Sequence, residues 1–290
     1  MYRYYLPSAL VVLGALAGAG QAGESAAVRI GIPRCVFPEV PTALLPFANQ
    51  PFKDLLKTQT GIDCEVVNDD DGMKVARDID AGKTQLGVFL GHEFAWARQK
   101  YPDLEPIVVA VQKPREVKAF ILVRHDSKAA TLADLKAAKL VVPGGTREHS
   151  RLFLAKRRAD DMAGGPVSPI GKADTVQDAI NKVIDGDADF TVTDQGSWAY
   201  FQRIYPGRAQ NLKVLAESEV FPQTVVAYHK GSLTDAVVKK FRDGLLTAHE
   251  SAQGLKSMVK IRVEKFAPVP ATYFTTLADI MKVYPAPAGK

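Results

Sequence analysis

The chain has 290 residues, 47% hydrophobic and 24% charged, with 22 Gly, 18 Pro and 2 Cys. That soluble-globular composition excludes a disordered or collagen-like chain and leaves room for two domains of roughly 100 to 150 residues. Its 37 Lys and Arg stand against 32 Asp and Glu for a net charge of +5, and the surplus is spread along the chain, without the concentrated basic stripe that nucleic acid or an anionic membrane surface would require.

The amino terminus carries one basic side chain, Arg3, ahead of an apolar run from Ala9 to Gly20 and the small residues Gly20, Ala22 and Gly23. This pattern predicts a cleaved export signal over residues 1–22. The run is shorter than the roughly 20 apolar residues that span a bilayer, so no stable membrane insertion is expected after cleavage. No Cys lies near the cleavage region, which argues against a lipoprotein anchor.

Apolar strand-like runs then alternate with helical patterns: Val28 to Ile32, a helix over Pro51 to Thr58, Ile62 to Val67, a helix over Met73 to Ala81, and Leu86 to Leu90. The rhythm predicts an α/β fold with parallel strands covered by helices on both faces. Export makes the two cysteines a candidate disulfide. Cys35 closes the first apolar run and Cys64 lies in the second; if the two strands are neighbours, a bridge depends on their register.

The polar, Pro-containing stretch Gln112 to Lys118 reads as a crossing to a second lobe. Beyond it come Ala119 to Val123, a helix opened by the capping-box-like Thr131-Leu-Ala-Asp134, Leu140 to Val142, a helix around His149 to Ala159, a helix from Asp174 to Asp185, and Asp189 to Thr193. After the strand Leu212 to Leu215, residues Glu217 to Pro222 read as a crossing back. A strand from Thr224 to Tyr228, a helix from Leu233 to His249 and an Ala/Pro-rich end expected to fray complete the chain. Two such lobes form a cleft, and ligands of open parallel sheets bind beyond the carboxyl ends of the strands.

Several segments, taken in order, resemble the PhnD-like family of phosphate, phosphite and phosphonate substrate-binding proteins of ABC transporters. They are Pro51 to Gly61, Leu86 to Gly91 followed by Phe94-Ala-Trp96, Ala119 to Ser127 with Leu132 to Leu135, Ile184 to Phe190, and Pro222-Gln-Thr-Val-Val226. The resemblance covers nearly all of the chain after the signal. It implies the type II periplasmic binding protein fold: two Rossmann-like lobes with mostly parallel sheets around a central cleft. Lobe 1 is then residues 23–112 plus 222–290, and lobe 2 is residues 113–221. It also implies a periplasmic, monomeric binding protein with no cofactor and no enzymatic activity, which closes on a small polar ligand and delivers it to a membrane permease.

The resemblance places an anion-holding turn at a helix start over Gly144 to Arg151, where Gly145, Thr146, Arg147 and Ser150 suit an oxyanion. Glu148 and His149 stand where the family has small hydroxyl residues, and the Glu148 carboxylate opposes a dianion. Family positions in the cleft fall at or near Asp71, Leu90, Asp174 and Asp194. The strand ends add His92 and Glu93, and Trp198 is a candidate stacking platform. If these converge, the carboxylates and imidazoles also suit a cationic or zwitterionic solute, or a divalent metal held by His92, Glu93, Glu148, His149 and Asp194. A module that presents its ligand to a sensor has the same sequence signature. A hydrolase using Glu148, His149 and an Asp would lack a nucleophile elbow, a paired-His zinc motif or a phosphate-binding loop.

Overall fold

The computed structural model describes residues 27–37, 40–161 and 169–287, with side chains not described at 169–172. The expected export signal lies outside the described residues. No helix among them is long and apolar enough to cross a membrane.

The first half of the chain runs β1 (Val28–Pro33), α1 (Leu45–Thr60), β2 (Cys64–Asp69), α2 (Gly72–Asp80), β3 (Leu86–Phe89), α3 (Gly91–Lys100) and β4 (Leu104–Val111). The chain then crosses to β5 (Ala119–Arg124), β6 (Leu140–Pro143), α4 (Glu148–Asp160), β7 (Pro169–Ala173), α5 (Val176–Ile184), β8 (Phe190–Asp194), α6 (Gln195–Ile204), the short α7 (Pro206–Ala209) and β9 (Leu212–Glu217). It returns for β10 (Thr224–His229), α8 (Asp235–Leu246), α9 (Ala252–Lys260), β11 (Lys265–Ala267) and α10 (Tyr273–Val283). The capping box at Thr131 is present, but it opens only a short 3₁₀ turn over Leu132–Leu135.

Two sheets result, of six strands in the order β11-β4-β10-β3-β1-β2 and of five in the order β7-β6-β8-β5-β9. They are mixed, where the sequence predicts mostly parallel pairing. β1 is parallel to β2 and β3, and β6 to β7 and β8. β10 is antiparallel to β3 and β4, and β5 to β8 and β9. The central inverted strand of each sheet, β10 or β5, is the one that arrives from the other sheet, and the edge strand β11 is also antiparallel to β4. A chain entering from the opposite lobe meets its neighbours head to tail, whereas a helix crossover within a lobe returns it parallel.

The first sheet is buried on both faces. α1, α8 and α9 pack around a core containing Ile30, Phe52, Leu56, Val226 and Phe241, while α2, α3 and α10 cover Val75, Phe89, Phe94 and Tyr273. The crossings run side by side. Val117 and Phe221 form an antiparallel bridge, the Phe221 amide donates to the Val117 carbonyl at 2.8 Å, and the Ala119 amide donates to Ser218 Oγ at 2.9 Å. α3 starts hard against the second crossing: a Cβ on Gly91 would lie 2.1 Å from the Pro222 carbonyl oxygen, so this approach admits only glycine.

The chain end is anchored where fraying is expected. Tyr284 is buried, its carbonyl accepts from Trp96 Nε1 at 2.9 Å, and its hydroxyl donates to Glu219 Oε2 at 2.6 Å. Residues 288–290 lie outside the described residues. A polar and proline-rich composition hides a single aromatic anchor, because its burial depends on a helix nearly two hundred residues earlier.

The disulfide expected between Cys35 and Cys64 is absent; both thiols are free. β1 and β2 are indeed parallel neighbours, but the register pairs Cys64 with Val28, 35 − 28 = 7 residues before Cys35. At about 3.3 Å per residue the cysteines stand on the order of 20 Å apart along the strands, far beyond bridging distance. Cys35 Sγ instead donates to Glu93 Oε2 at 3.4 Å, and burial pushes its pKa far up; burial likewise raises Cys64 to about 11. Reductant should therefore leave the thermal midpoint unchanged, and thiol titration of the unfolded protein should find both cysteines. A bridge closing this loop would be worth about 3–4 kcal/mol, and a drop of several degrees under reductant would reveal it.

Candidate functional site

Between the lobes lies a cleft of about 410 Å³, lined from lobe 1 by the ends of β1, β3 and α1, from lobe 2 by the turn before α4 and the start of α6, and at its back by both crossings. Of the residues singled out in the sequence, Leu90, His92, Gly145, Arg147, His149 and Asp194 line it. They meet because each lies at the end of a strand or in the turn and first helical residues that follow it. Thr146 and Glu148 face an adjoining polar pocket of about 250 Å³ that also contains Arg34 and Arg151.

The turn from Gly144 to Arg147 is held from behind. The Gly144 amide donates to the Ala173 carbonyl at 2.8 Å, Thr146 Oγ1 donates to the Pro143 carbonyl at 2.7 Å, and Arg151 Nε donates to the Thr146 carbonyl at 3.1 Å. α4 then starts with no side chain capping it, since its N-cap is Arg147. α1, α3, α7 and α10 also start without a side-chain cap, whereas α2, α5, α6, α8 and α9 are each capped by Asp, Thr or Ser. The Ser150 amide donates to the Arg147 carbonyl at 3.0 Å, while the amides of Glu148 and His149 precede the first intrahelical bond and give this helix end partial positive charge beside the cleft.

Asp194 is the last residue of β8 and the N-cap of α6. Its carboxylate accepts from the Ser197 amide at 3.0 Å and from Ser197 Oγ at 2.6 Å, and Arg147 Nε lies 3.7 Å away. Burial alone would raise its pKa, but the Arg147 guanidinium and the Ser197 hydrogen bonds outweigh it and hold the carboxyl below its ordinary value. His149 is the reverse case. Burial lowers it to about 4, although nearby Asp194 and a hydrogen bond to the Lys118 backbone favour its charged form, so the ring is neutral at pH 7. Its Nε2 has no hydrogen-bond partner. The bond to the Lys118 carbonyl therefore falls to Nδ1–H and leaves Nε2 as a bare acceptor.

The two imidazoles flank the second crossing. The Phe221 ring lies 5.7 Å from that of His92, 5.4 Å from that of His149 and 4.8 Å from that of Tyr284. One residue of each lobe thus packs on the same hinge phenylalanine.

Five singled-out residues stand outside the cleft. Asp71 caps α2, accepting from the Lys74 amide at 2.9 Å. Glu93 is buried against the start of α2, where it accepts from the Gly72 amide at 3.1 Å. Ser150 is fully buried behind the turn, and Asp174 is exposed outside both pockets. Trp198 is a core residue of lobe 2, its ring stacked on Phe201 at 6.1 Å, because α6 turns it inward toward Ile180 and Leu212. The five residues considered for a metal are not gathered, and no group of three metal-ligating side chains exists among the described residues.

Sequence reasoning missed Ser197, Gln112, Thr224 and the cations Lys260 and Arg262, and it missed the apolar wall of the cleft, Ile32, Phe52, Val88, Val226 and Phe266 among it. Ser197 was legible as the third residue after a strand-ending Asp, a capping spacing. The apolar wall was not, because hydrophobic periodicity reads the same whether a side chain faces a helix or a cavity.

A family model described as the periplasmic substrate-binding protein of phosphonate ABC transporters matches residues 36–273. No curated protein matches the chain. Among solved structures, the binding-protein component of a phosphonate ABC transporter from Pseudomonas aeruginosa superposes with a TM-score of 0.60 at 15% identity, covering 89% of this chain and 85% of that one. PhnD1 from Prochlorococcus marinus, in complex with methylphosphonate, gives 0.62 at 14% identity, covering 88% and 97%. A Xanthomonas citri protein bound to ATP gives 0.64 at 14% identity, covering 90% and 97%. At these identities the structures establish the shared fold. The family model spans both crossings and all of the cleft wall except Ile32 and Cys35, and by that match the chain belongs to the periplasmic substrate-binding proteins of phosphonate ABC transporters.

Proposed function

We propose that the cleft captures a phosphonate or phosphate group between the turn Gly145 to Arg147 and the opposing lobe, and that the closed form hands it to a membrane permease. The observation that carries this reading is the start of α4, which no side chain caps, beside Arg147 in a cleft whose wall also carries the cations Lys260 and Arg262. Backbone amides and the guanidinium fork supply charge-assisted hydrogen bonds to an oxyanion. Residues 23–112 with 222–290 form one lobe and residues 113–221 the other, closing about the paired crossings as two rigid bodies. The mature protein is a periplasmic monomer released from its signal near residue 22. A cation-binding or catalytic role has less support, because Asp194 is already paired with Arg147 and capped by Ser197.

Thermal unfolding of the mature protein, first with EDTA and then against phosphate, methylphosphonate, amino acids, amines and divalent metals, tests this. A ligand at about 100 times its Kd stabilises by roughly 2.7 kcal/mol, a rise of several degrees at this size. The expected shift is confined to phosphorus oxyanions, and a shift with amines or metals alone overturns the reading. Glu148→Gln should tighten methylphosphonate binding a fewfold, since it removes a like charge beside the anion turn in a partly exposed position. An unchanged Kd would place the anion away from that turn.

A further inference from the structure

The cleft is larger and more apolar than an oxyanion needs. Its lobe 2 wall presents Gly145, Arg147, His149, Asp194 and Ser197, whereas its lobe 1 wall is mainly apolar, with His92, Gln112, Thr224, Lys260 and Arg262 as its polar members. Ile32, Phe52, Val88, Ala110, Val226 and Phe266 line the cleft and also belong to the core cluster under α1 and α9. The cavity therefore runs from the anion turn into the interior of lobe 1 between its sheet and those helices. Phe47, three-quarters exposed, and half-buried Ala48 stand where it opens on α1. A volume of about 410 Å³ falls within the roughly 300–1,000 Å³ of pockets that bury a drug-sized organic molecule.

The polar end carries its own evidence of an occupant. His149 is 6% exposed, lines the cleft and has an unpartnered Nε2. A buried polar atom of this kind is costly unless something completes it. Nε2 accepts and Arg147 donates, so together they match a singly protonated phosphorus oxyanion, which offers one P–OH and charged oxygens.

We propose that the ligand is a phosphonate with a sizeable apolar substituent, an alkyl chain or aryl ring. Its head lies on Arg147, His149 and the start of α4, and its substituent fills the apolar compartment of lobe 1. This rests on the oxyanion reading above and extends it to the substrate class. Burial of the substituent removes apolar area from water on both partners, at about 0.8 kcal/mol per methylene, or roughly a three- to fourfold gain in affinity for each one.

Isothermal titration calorimetry with methyl-, butyl-, hexyl- and phenylphosphonate, with hexylamine as the head-group control, tests it. The expected result is a Kd that falls about threefold per added methylene until the compartment is full, with a heat-capacity change that grows more negative along the series. Ala48→Phe, a change on a half-exposed helix face, should bring the hexyl-to-methyl affinity ratio toward one. Methylphosphonate binding with no gain for hexylphosphonate overturns the substrate class and leaves the oxyanion reading intact. Binding of no phosphonate overturns both. Hexylamine binding as tightly as hexylphosphonate overturns the head-group assignment, and a hexyl-to-methyl ratio unchanged in Ala48→Phe places the chain outside this compartment.

Discussion

Arg147→Ala should weaken methylphosphonate binding by about a hundredfold and lower the stability of the free protein as well. Hydrogen bonds to charged groups are worth about 1.5–3 kcal/mol each, and a guanidinium gripping an oxyanion through two of them accounts for roughly 3 kcal/mol once the side chain is truncated. The loss in stability has a different origin. Arg147 is the cation that keeps buried Asp194 ionised, at 3.7 Å, and its removal leaves that carboxylate with only the Ser197 amide and hydroxyl. Because the guanidinium is partly exposed and its geometry is not bidentate, the expected cost is about 1–2 kcal/mol, below that of breaking a fully buried pair. Arg147→Lys should keep most of the stability, since it keeps the charge, yet lose about tenfold in affinity, since an ammonium lacks the planar fork. Calorimetric titration and urea unfolding of the same variants separate the two effects. Wild-type affinity in Arg147→Ala would remove this residue from the ligand.

The second large effect is on stability against pH. His149 in the folded protein has a pKa of about 4, lowered from 6.5 chiefly by burial. The unfolded chain therefore takes up this proton first as pH falls. Between about 6.5 and 4 the unfolded state binds more protons than the native one, so stability declines as the solution is acidified, by about 3 kcal/mol over the window. Above pH 6.5 His149 contributes no slope. Asp194 acts lower on the scale: its folded pKa lies below the ordinary 3.8, so its stabilisation is complete above that value and is lost as pH falls through the folded one. Urea midpoints measured from pH 7.5 to 4.5 should fall through this range in the wild type. In His149→Asn the protein should start less stable at pH 7, having lost the ring's packing on Phe221, and the part of the slope owed to this residue should vanish. Equal slopes in the two proteins would mean that His149 is protonated in the fold without penalty.

The positions of strand ends were readable because the signals are local. The alternation of apolar runs and helical periods, the capping box from Thr131 to Asp134, and the polar stretch at 112–118 each depend on a few neighbouring residues. From them followed the α/β class and the two crossings, whereas the candidate turn at Gly145 to Arg147 came from the family resemblance. Trp198 and Glu93 show where this ends. Both follow a strand, as Arg147 and His92 do, but the phase of the helix turns Trp198 into the core and Glu93 toward α2. One residue of helical rotation, about 100°, decides between cleft and interior, and no local pattern reports it.

Local signals in the sequence suffice for the α/β alternation, the order of two units and the resemblance to phosphonate-binding proteins, since propensity, periodicity and capping act over a few residues, but they left β4, β7, β11, α6, α9 and α10 unread. Only the tertiary structure decided the quantities that depend on distant partners. The register of β1 against β2 keeps Cys35 and Cys64 apart, and the strand arriving from the opposite lobe makes each sheet mixed. Tyr284 becomes an anchor rather than a tail because Trp96 and Glu219 meet it there. The apolar wall of the cleft follows the same logic: Ile32, Val88 and Val226 carry hydrophobicity that the sequence displays plainly, but whether it is spent on a helix or left facing a ligand is settled by how closely α1 and α9 approach the sheet.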